Sequence, residues 1–229
     1  DAGAVCAVID EKEFEIPTKT LLVQDVLTAL QALAHHHRKQ FHISFIAITG
    51  SNGKTTTKEL IHAVLSSTYK VYTTEGNLNN HIGVPLTILK IKNDADLAVI
   101  EMGANHQHEI ESYCKIAEPT HGIITNCGKA HLEGFGSIEG VKKAKGELYD
   151  YLRKVQGTAL VMWDYDYLRN MSQGIANIIT YGTKDADING NVMSSATFLN
   201  VKISDPETEV HTKLVGDYNL PNVLAAVAV

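Results

Sequence analysis

The sequence predicts an α/β fold in which helices flank a mainly parallel sheet, and three observations support this prediction. From Phe41 onward, short apolar runs alternate with helical patterns. The runs are continuously apolar, which is typical of strands covered on both faces. A glycine-rich turn, "TGSNGKTTT", lies between the first run and a helix. Together these patterns indicate one large sheet with polar loops at its strand ends.

The composition excludes several classes of protein. The chain has 229 residues, of which 44% are apolar and 20% charged, enough for one large domain or two small ones. The net charge of -6, without aromatic residues interleaved among lysines, argues against nucleic acid as a partner. No apolar run approaches the roughly 20 residues that span a bilayer, and no signal peptide is recognisable, so we expect a cytoplasmic protein without membrane insertion.

The three cysteines are predicted to be reduced packing residues. Cys6, Cys114 and Cys127 are widely spaced and odd in number. That arrangement fits neither a disulfide framework nor a zinc site.

The first 40 residues are predicted to be the end of one domain followed by a linker helix, with a second domain over 41–229. "DAGAVCAVID" is a strand-like run without a preceding turn, and apolar spacing predicts a helix over 25–39 with Asp25 as its cap. Its end carries "HHHR", 35–38, but adjacent histidines on a helix point in different directions, which disfavours a shared metal. The last residues, "GDYNLPNVLAAVAV", predict a helix start with Asn219 as a possible cap and no stop signal. We therefore expect a fragment at both ends.

The second domain contains six predicted strands and three clear helices. The helices are predicted near 54–67, 107–117 and 138–152, and the region 187–214 is polar and β-branched, as in antiparallel strands at a sheet edge. The strand sequences are "FIAIT", "KVYTT", "LAVIE", "GIITN", "TALVMW" and "NIITYG".

The glycine-rich turn is predicted to be a phosphate-binding loop of the P-loop kind. Such a turn presents backbone N–H groups at a helix N-terminus, where the macrodipole favours anions. Lys54 adds a positive charge and Thr55 a hydroxyl suited to Mg²⁺. The general pattern would place glycine at Ile48, so the loop is shorter; a glycine turn before an ordinary helix is the alternative. Its nucleotide-binding residues are predicted to be Gly50, Ser51, Asn52, Gly53, Lys54, Thr55 and Thr56.

Two further strand ends carry polar side chains that can meet this loop. Glu101 directly follows four apolar residues, where a carboxylate is costly without a partner, and it could coordinate the same Mg²⁺. A solvent-facing glutamate is the alternative. The loop after "GIITN" carries Asn126, Lys129, His131 and Glu133, and its position supports a metal or phosphate role for His131 as well as it supports an ordinary solvated histidine.

Lys145 lies on the apolar stripe of its helix. Ile138, Val141, Leu148 and Leu152 form that stripe, whereas the neighbouring lysines 142 and 143 fall off it. The amine of Lys145 must therefore extend outward or find a buried partner. A buried lysine readily loses its proton, and a neutral amine can react with carbon dioxide to give a carbamate, an anion that binds metal.

The segment "EGNLNNHIGVPLT", 75–87, is crowded with amides before Pro85 begins a helix. Asn77, Asn79 and Asn80 can both donate and accept hydrogen bonds, which suits a polar substrate. A structural loop with Asx turns is equally compatible with the composition.

These motifs together resemble the Mur ligases, ATP-dependent amide-forming enzymes of peptidoglycan synthesis and hence of cell-wall biogenesis, cell shape and division. The match covers nearly the whole chain, in the family's order. Within the family, the motifs are most similar to the branch that adds D-alanyl-D-alanine to UDP-N-acetylmuramoyl-tripeptide. They are "ITGSNGKTTTKE", "GNLNNHIGVPLT", "EMGANHQHEI", "AHLEGFGSIEGVKKAKGE" and "LVGDYNLPNVLAAVAV".

The resemblance implies ATP and two Mg²⁺ ions as cofactors and a carboxylate attack on the γ-phosphate that gives an acyl phosphate. Lys54 would contact the phosphates, and the metals would be bound by Thr55, Glu101, His131 and carbamylated Lys145. Asn219 and Asn222 match a pair near the adenine, although Asp217 stands where many relatives have histidine.

The resemblance also implies a monomer and a three-domain protein. Most of the first domain and the whole third domain would be missing here, so this chain alone should bind nucleotide weakly and not turn over. Two alternatives stay open. One is another amide ligase, of the Mur or folylpolyglutamate synthase kind; the other is a nucleotide-binding module without activity, against which the joint presence of Glu101, His131 and Lys145 argues.

Overall fold

A computed structural model describes residues 3–128, 132–193 and 197–229. Its elements alternate between strands and helices along most of the chain. In order they are β1 (Ala7–Ile9), β2 (Thr20–Leu22), α1 (Val26–Arg38), β3 (Ser44–Thr49), α2 (Lys54–Leu65), β4 (Val71–Thr73), α3 (Gly83–Leu89), β5 (Leu97–Glu101), α4 (Glu109–Ala117), β6 (His121–Ile124), α5 (Leu132–Phe135), α6 (Ile138–Val155), β7 (Thr158–Met162), α7 (Asp166–Met171), β8 (Asn177–Gly182), β9 (Ile188–Val192), β10 (Asn200–Ser204), β11 (Glu207–His211) and α8 (Leu220–Val227).

The predicted fold class is confirmed. Nine strands form one sheet in the order β11-β10-β9-β8-β7-β6-β3-β5-β4. The strands from β4 to β9 pair in parallel, and β10 and β11 continue as antiparallel strands. The predicted antiparallel edge is therefore present, except that β9 joins β8 in parallel. Phe45, Ala47 and Ile48 of β3 are fully buried, as the continuous apolar run predicts.

The strand order places three loops side by side. Because β3 lies between β5 and β6, the carboxyl ends of these parallel strands meet at one edge of the sheet. The glycine-rich turn follows β3, Glu101 ends β5, and Asn126 follows β6. The fold thus brings the predicted site residues of three separate sequence motifs to one edge.

Helix α1 packs against helices α3 and α4 rather than standing free. Asp25 caps it, as predicted, by accepting a hydrogen bond from Thr28 N–H at 2.6 Å. Arg38 at its end is buried and donates to the carbonyls of Ala117, Phe41 and Glu118. Three hydrogen bonds from one buried guanidinium fix the end of the helix.

The histidines of "HHHR" contact the protein. His35 Nε2 lies 2.8 Å from Glu118 Oε1, and His37 Nε2 lies 2.9 Å from the Ile91 carbonyl oxygen. These contacts join α1 to neighbouring loops.

Several local predictions need correction. Asn219 precedes α8, but its side chain makes no capping bond; the backbone there is already helical, and the amide donates to the Val215 carbonyl instead. Helix α3 begins at Gly83, two residues before Pro85, because Asn80 Oδ1 accepts hydrogen bonds from the N–H groups of Ile82 and Gly83. Cys6 is exposed, whereas Cys114 and Cys127 are buried packing residues.

Helix α4 begins two residues later than predicted. His108 has a left-handed backbone with φ of 70°, which ends the turn before the helix. Glu147 of α6 accepts hydrogen bonds from His108 N–H at 2.6 Å and Glu111 N–H at 3.0 Å. A carboxylate from another helix thus satisfies amides at the start of α4.

None of the helices in the described ranges is long and apolar enough to cross a membrane.

Candidate active site

The glycine-rich turn has the backbone of a phosphate-binding loop. Gly50 has φ of 145° and Gly53 has φ of 80°, and α2 begins immediately afterwards. Ile48, where the general pattern has glycine, is buried in β3, and its carbonyl accepts a hydrogen bond from Met102 N–H. The loop therefore starts later and is shorter, with its N–H groups next to the positive end of a helix.

Asn126 and Thr125 support this loop from the next strand. Asn126 accepts hydrogen bonds from Ser51 N–H through its carbonyl and from Asn52 N–H through Oδ1. Thr125 Oγ1 donates to the Asn52 carbonyl at 2.6 Å. Sequence reasoning placed Asn126 near the site but did not find this supporting role, because it depends on the β3–β6 pairing.

We expect Gly50→Ala to disrupt the loop. A Cβ at this position would lie 2.0 Å from Thr125 Oγ1 and 3.1 Å from Asn126 N, and the backbone is strained for any other residue. The expected loss is about 2–5 kcal/mol of unfolding free energy, together with loss of nucleotide binding.

Thermal or denaturant unfolding checks this expectation, with Gly136→Ala as the matched control. Gly136 has φ of 74° but no atom within 4 Å of an added Cβ. The control should therefore lose only about 1–2 kcal/mol. Equal losses in both variants would contradict the close packing at Gly50.

Lys54 is held by the loop that it follows. Its Nζ donates to the Gly50 carbonyl at 2.8 Å and lies 3.3 Å from the Ser51 carbonyl. Burial lowers the pKa of Lys54, and the negative charge of Glu101 opposes that effect. The ammonium is thus placed over the loop and available to phosphate oxygens.

Glu101 is a buried carboxylate whose two oxygens differ in their hydrogen bonding. Its side chain is 1% exposed, and Oε1 accepts hydrogen bonds from Thr55 Oγ1 at 3.2 Å and Asn79 Nδ2 at 2.7 Å. Oε2 is buried and has no hydrogen-bond partner among the residues that the structure describes. Because an unpaired buried carboxylate oxygen is costly, this oxygen is compatible with the predicted cation-binding role of Glu101, which stays a prediction. The solvent-facing alternative is wrong.

Lys145 is buried where the helical stripe predicts. It is 2% exposed, and its Nζ donates to the Ala104 carbonyl at 3.2 Å and lies 5.3 Å from the Phe135 ring centroid. Burial, reinforced by the charge of Lys54, lowers the pKa of Lys145 from 10.5 to about 8. The uncharged form of this amine is therefore reached at a lower pH than that of an exposed lysine.

Both lysines line one cavity of about 440 Å³ beside the loop. The amide-rich segment contributes Asn79 and Asn80, and the loop after β5 contributes 103–106. Asn79 also bonds Glu101, and Asn80 caps α3 through Oδ1, so both the substrate and the structural interpretations of these amides keep support. Asn77 is exposed next to them.

Asn222 and Asn219 connect α8 to the phosphate loop. Asn222 Oδ1 accepts a hydrogen bond from Thr57 Oγ1 at 3.1 Å, and its Nδ2 donates to Asn219 Oδ1 at 2.9 Å. A Cβ on Gly53 would lie 2.6 Å from Asn222 Oδ1. The pair is therefore packed under the loop, and its predicted adenine contact stays a prediction.

Lys129 and His131 lie outside the residues that the structure describes. Within the described ranges, no three His, Cys, Asp or Glu side chains form a cluster suited to a metal. Thr55, Glu101, His131 and Lys145 stay the predicted metal ligands. Of these, the structure describes Thr55, Glu101 and Lys145.

Comparison with known proteins decides the family. Residues 48–229 match the family model described as the Mur ligase middle domain. This chain belongs to the Mur ligase family. The short phosphate loop, Glu101 and Lys145 of this Mur ligase all lie inside the matched range.

Curated relatives and solved structures give a finer likeness. The chain is 37% identical over 234 residues to UDP-N-acetylmuramoyl-tripeptide–D-alanyl-D-alanine ligase of Bacillus subtilis (strain 168). The match covers 100% of this chain and 50% of that protein. Crystal structure II of MurF from Acinetobacter baumannii is 34% identical, with a TM-score of 0.87 over 99% of this chain and 50% of that one.

A third likeness concerns a nucleotide complex. MurF ligase from Thermotoga maritima in complex with ADP is 28% identical, with a TM-score of 0.88 over 98% of this chain and 53% of that one. This Mur ligase chain spans about half the length of the curated relatives it matches.

Proposed function

We propose that this chain is the central ATP-binding part of a longer ligase that joins D-alanyl-D-alanine to UDP-N-acetylmuramoyl-tripeptide. Residues 1–40 would then end an N-terminal domain and link it to the domain over 41–229. The single observation that carries the proposal is the buried carboxylate of Glu101, whose Oε2 has no partner among the described residues and whose Oε1 bonds Thr55 in the first turn after the phosphate loop. The names of the curated relatives and the ADP complex of one solved neighbour support the choice of substrates.

The residues fit Mg²⁺ at this position. Mg²⁺ prefers oxygen ligands, and the free oxygen of Glu101 together with the Thr55 hydroxyl offers such a set next to the loop. A bound divalent cation would neutralise charge on the phosphoryl group during its transfer. ATP would be the nucleotide that the loop holds.

In the proposed reaction, the chain's residues mainly bind and orient. The loop N–H groups and Lys54 would hold the ATP phosphates, and the cavity lined by Lys54, Asn79 and Lys145 would receive the substrate carboxylate. That carboxylate attacks the γ-phosphorus, ADP leaves, and an acyl phosphate forms. The dipeptide amine then attacks the acyl carbon, loses its proton and displaces phosphate. No side chain needs to act as a nucleophile.

Lys145 would act as a carbamate. Its uncharged Nζ attacks carbon dioxide, a C–N bond forms, and one proton leaves, so the neutral amine becomes an anion. The burial of the amine and its lowered pKa support this step. The product is a carboxylate-like ligand, close to the loop, that can join Glu101 and His131 in holding metal.

Product analysis tests the proposed function. We expect a protein of the relatives' full length, given Mg²⁺, ATP and UDP-N-acetylmuramoyl-tripeptide, to add D-alanyl-D-alanine and release one ADP and one phosphate per product. Mass spectrometry should show that the product is heavier than UDP-N-acetylmuramoyl-tripeptide by the mass of the dipeptide less one water. Preference for a single amino acid, or for glutamate on folate, would instead support a neighbouring ligase; nucleotide binding with no product from any amine would support a non-catalytic module.

A further inference from the structure

Lys58 is a fully buried lysine on the inner face of α2, outside the predicted site. Its side chain is 1% exposed. Its Nζ donates to the Thr74 carbonyl at 2.6 Å and the Gly76 carbonyl at 3.2 Å and lies 2.8 Å from Glu59 Oε1. An ammonium has three N–H donors, and each has an acceptor here. An apolar side chain would fill the same volume without the cost of burying a charge, so packing alone does not account for a lysine.

The segment that Lys58 holds determines where Glu101 lies. Thr74 Oγ1 accepts a hydrogen bond from Glu101 N–H at 2.9 Å, which fixes the backbone at the end of β5. The same segment continues into Asn79, whose Nδ2 donates to Glu101 Oε1 at 2.7 Å. Backbone and carboxylate of Glu101 are therefore both bonded to the segment 74–79.

Helix α2 reaches Glu101 by two routes. Thr55, in the first turn, donates directly to Glu101 Oε1. Lys58 lies three residues later on the same side of the helix and acts through the backbone of the segment 74–76. Helix α2 thus contacts the Glu101 carboxylate directly through Thr55. It is linked to the same carboxylate indirectly, through the segment 74–76 and Asn79.

We propose that Lys58 is a positioning residue that orients the Glu101 carboxylate toward a divalent cation by holding the segment 74–79 against α2. The proposal rests on the proposed function only in taking Glu101 as the metal carboxylate. It is distinct from a role in stability, because it predicts a specific effect on the Mg²⁺ dependence of nucleotide binding.

Calorimetric titration of ADP at a series of Mg²⁺ concentrations tests the proposal in the full-length protein. With Lys58→Met, we expect the Mg²⁺ concentration for half-maximal enhancement of ADP binding to rise about 10-fold, the size of effect seen when the support of a metal ligand is removed. ADP binding without Mg²⁺ should change less than about two-fold, because the phosphate loop keeps its own contacts. Glu59→Gln is the matched control, since it removes only the charge of the exposed partner, and it should leave both values unchanged.

Thermal unfolding of each variant separates positioning from folding. If Lys58→Met does not unfold cooperatively, Lys58→Gln, which retains an N–H donor for the Thr74 carbonyl, takes its place and should shift the Mg²⁺ dependence in the same direction by a smaller factor. A variant that loses stability but keeps the wild-type Mg²⁺ dependence would overturn the positioning role and leave the proposed function standing. If ADP binding by the wild-type protein does not depend on Mg²⁺, both the positioning role of Lys58 and the proposed function are overturned.

Discussion

Replacing Glu101 with glutamine will remove Mg²⁺-dependent nucleotide binding while leaving the fold intact. Glutamine has the same shape and can keep the bonds from Thr55 and Asn79, but it lacks the negative charge that the unpaired Oε2 provides. We expect the enhancement of ADP binding by Mg²⁺ to fall by at least about 100-fold. Ligase activity of the full-length protein should fall by a similar or larger factor.

The unfolding temperature of Glu101→Gln distinguishes a metal-binding role of Glu101 from a structural one. Because Oε2 of Glu101 is buried and has no partner in the described part of the chain, Glu101→Gln should unfold at the same temperature as the wild type or higher when no Mg²⁺ is present. Glu209→Gln, on an exposed strand, is the matched control and should change neither property. A destabilised Glu101→Gln that still binds Mg²⁺ and ADP normally would mean that Glu101 is structural.

If the proposed carbamate binds metal, replacing Lys145 with alanine will lower turnover of a protein of the relatives' full length by about 100-fold or more, because that ligand is lost. Added small carboxylic acids should restore part of the activity, since they supply an anion in the space that the carbamate would fill. The measurement is turnover against the concentration of formate or acetate, with Lys143→Ala, an exposed lysine on the same helix, as control. Unaffected turnover would remove the carbamate from the mechanism.

The buried charge of Lys145 also predicts a pH effect on stability. In the folded protein its pKa is about 8, against 10.5 when exposed, so the folded state releases this proton first and the contribution of Lys145 to stability rises as pH increases from about 8 to 10.5. Lys145→Met should therefore gain about 2 kcal/mol over the wild type at pH 7, and that gain should shrink by pH 9.5 in metal-free buffer without bicarbonate. A constant difference would contradict the lowered pKa.

The burial of the Glu101 and Lys145 side chains could be predicted because each of these residues violates a local pattern. A carboxylate directly after four apolar residues and a lysine on an apolar stripe both need a special environment, and spacing alone shows this. The parallel sheet was predictable for the same reason, since strands covered on both faces have no polar alternation. The α/β fold and the residues at the strand ends therefore followed from local sequence.

The contacts between these residues could not be predicted, because they join positions far apart in sequence. Asn79 bonds Glu101 across 22 positions, and Asn222 bonds Thr57 across 165. Lys58 is a partial exception, since it lies at helical spacing with Ile61 and Leu65 and the stripe argument used for Lys145 would have singled it out. Asn219 occupies the predicted N-cap position of α8, but its side chain bonds Val215 and Asn222 instead of capping the helix, because the packing of α8 against the loop sets these partners.

Oxygen-isotope transfer measures most directly whether this site activates a carboxylate by phosphorylation. UDP-N-acetylmuramoyl-tripeptide labelled with ¹⁸O in its terminal carboxylate would be converted by the full-length protein with Mg²⁺, ATP and D-alanyl-D-alanine. We expect one ¹⁸O atom per turnover in the released phosphate, because the carboxylate oxygen that attacks the γ-phosphorus leaves with it when the amine displaces phosphate. Label in AMP, or unlabelled phosphate alongside amide product, would contradict an acyl phosphate formed over the phosphate loop, Glu101 and Lys145.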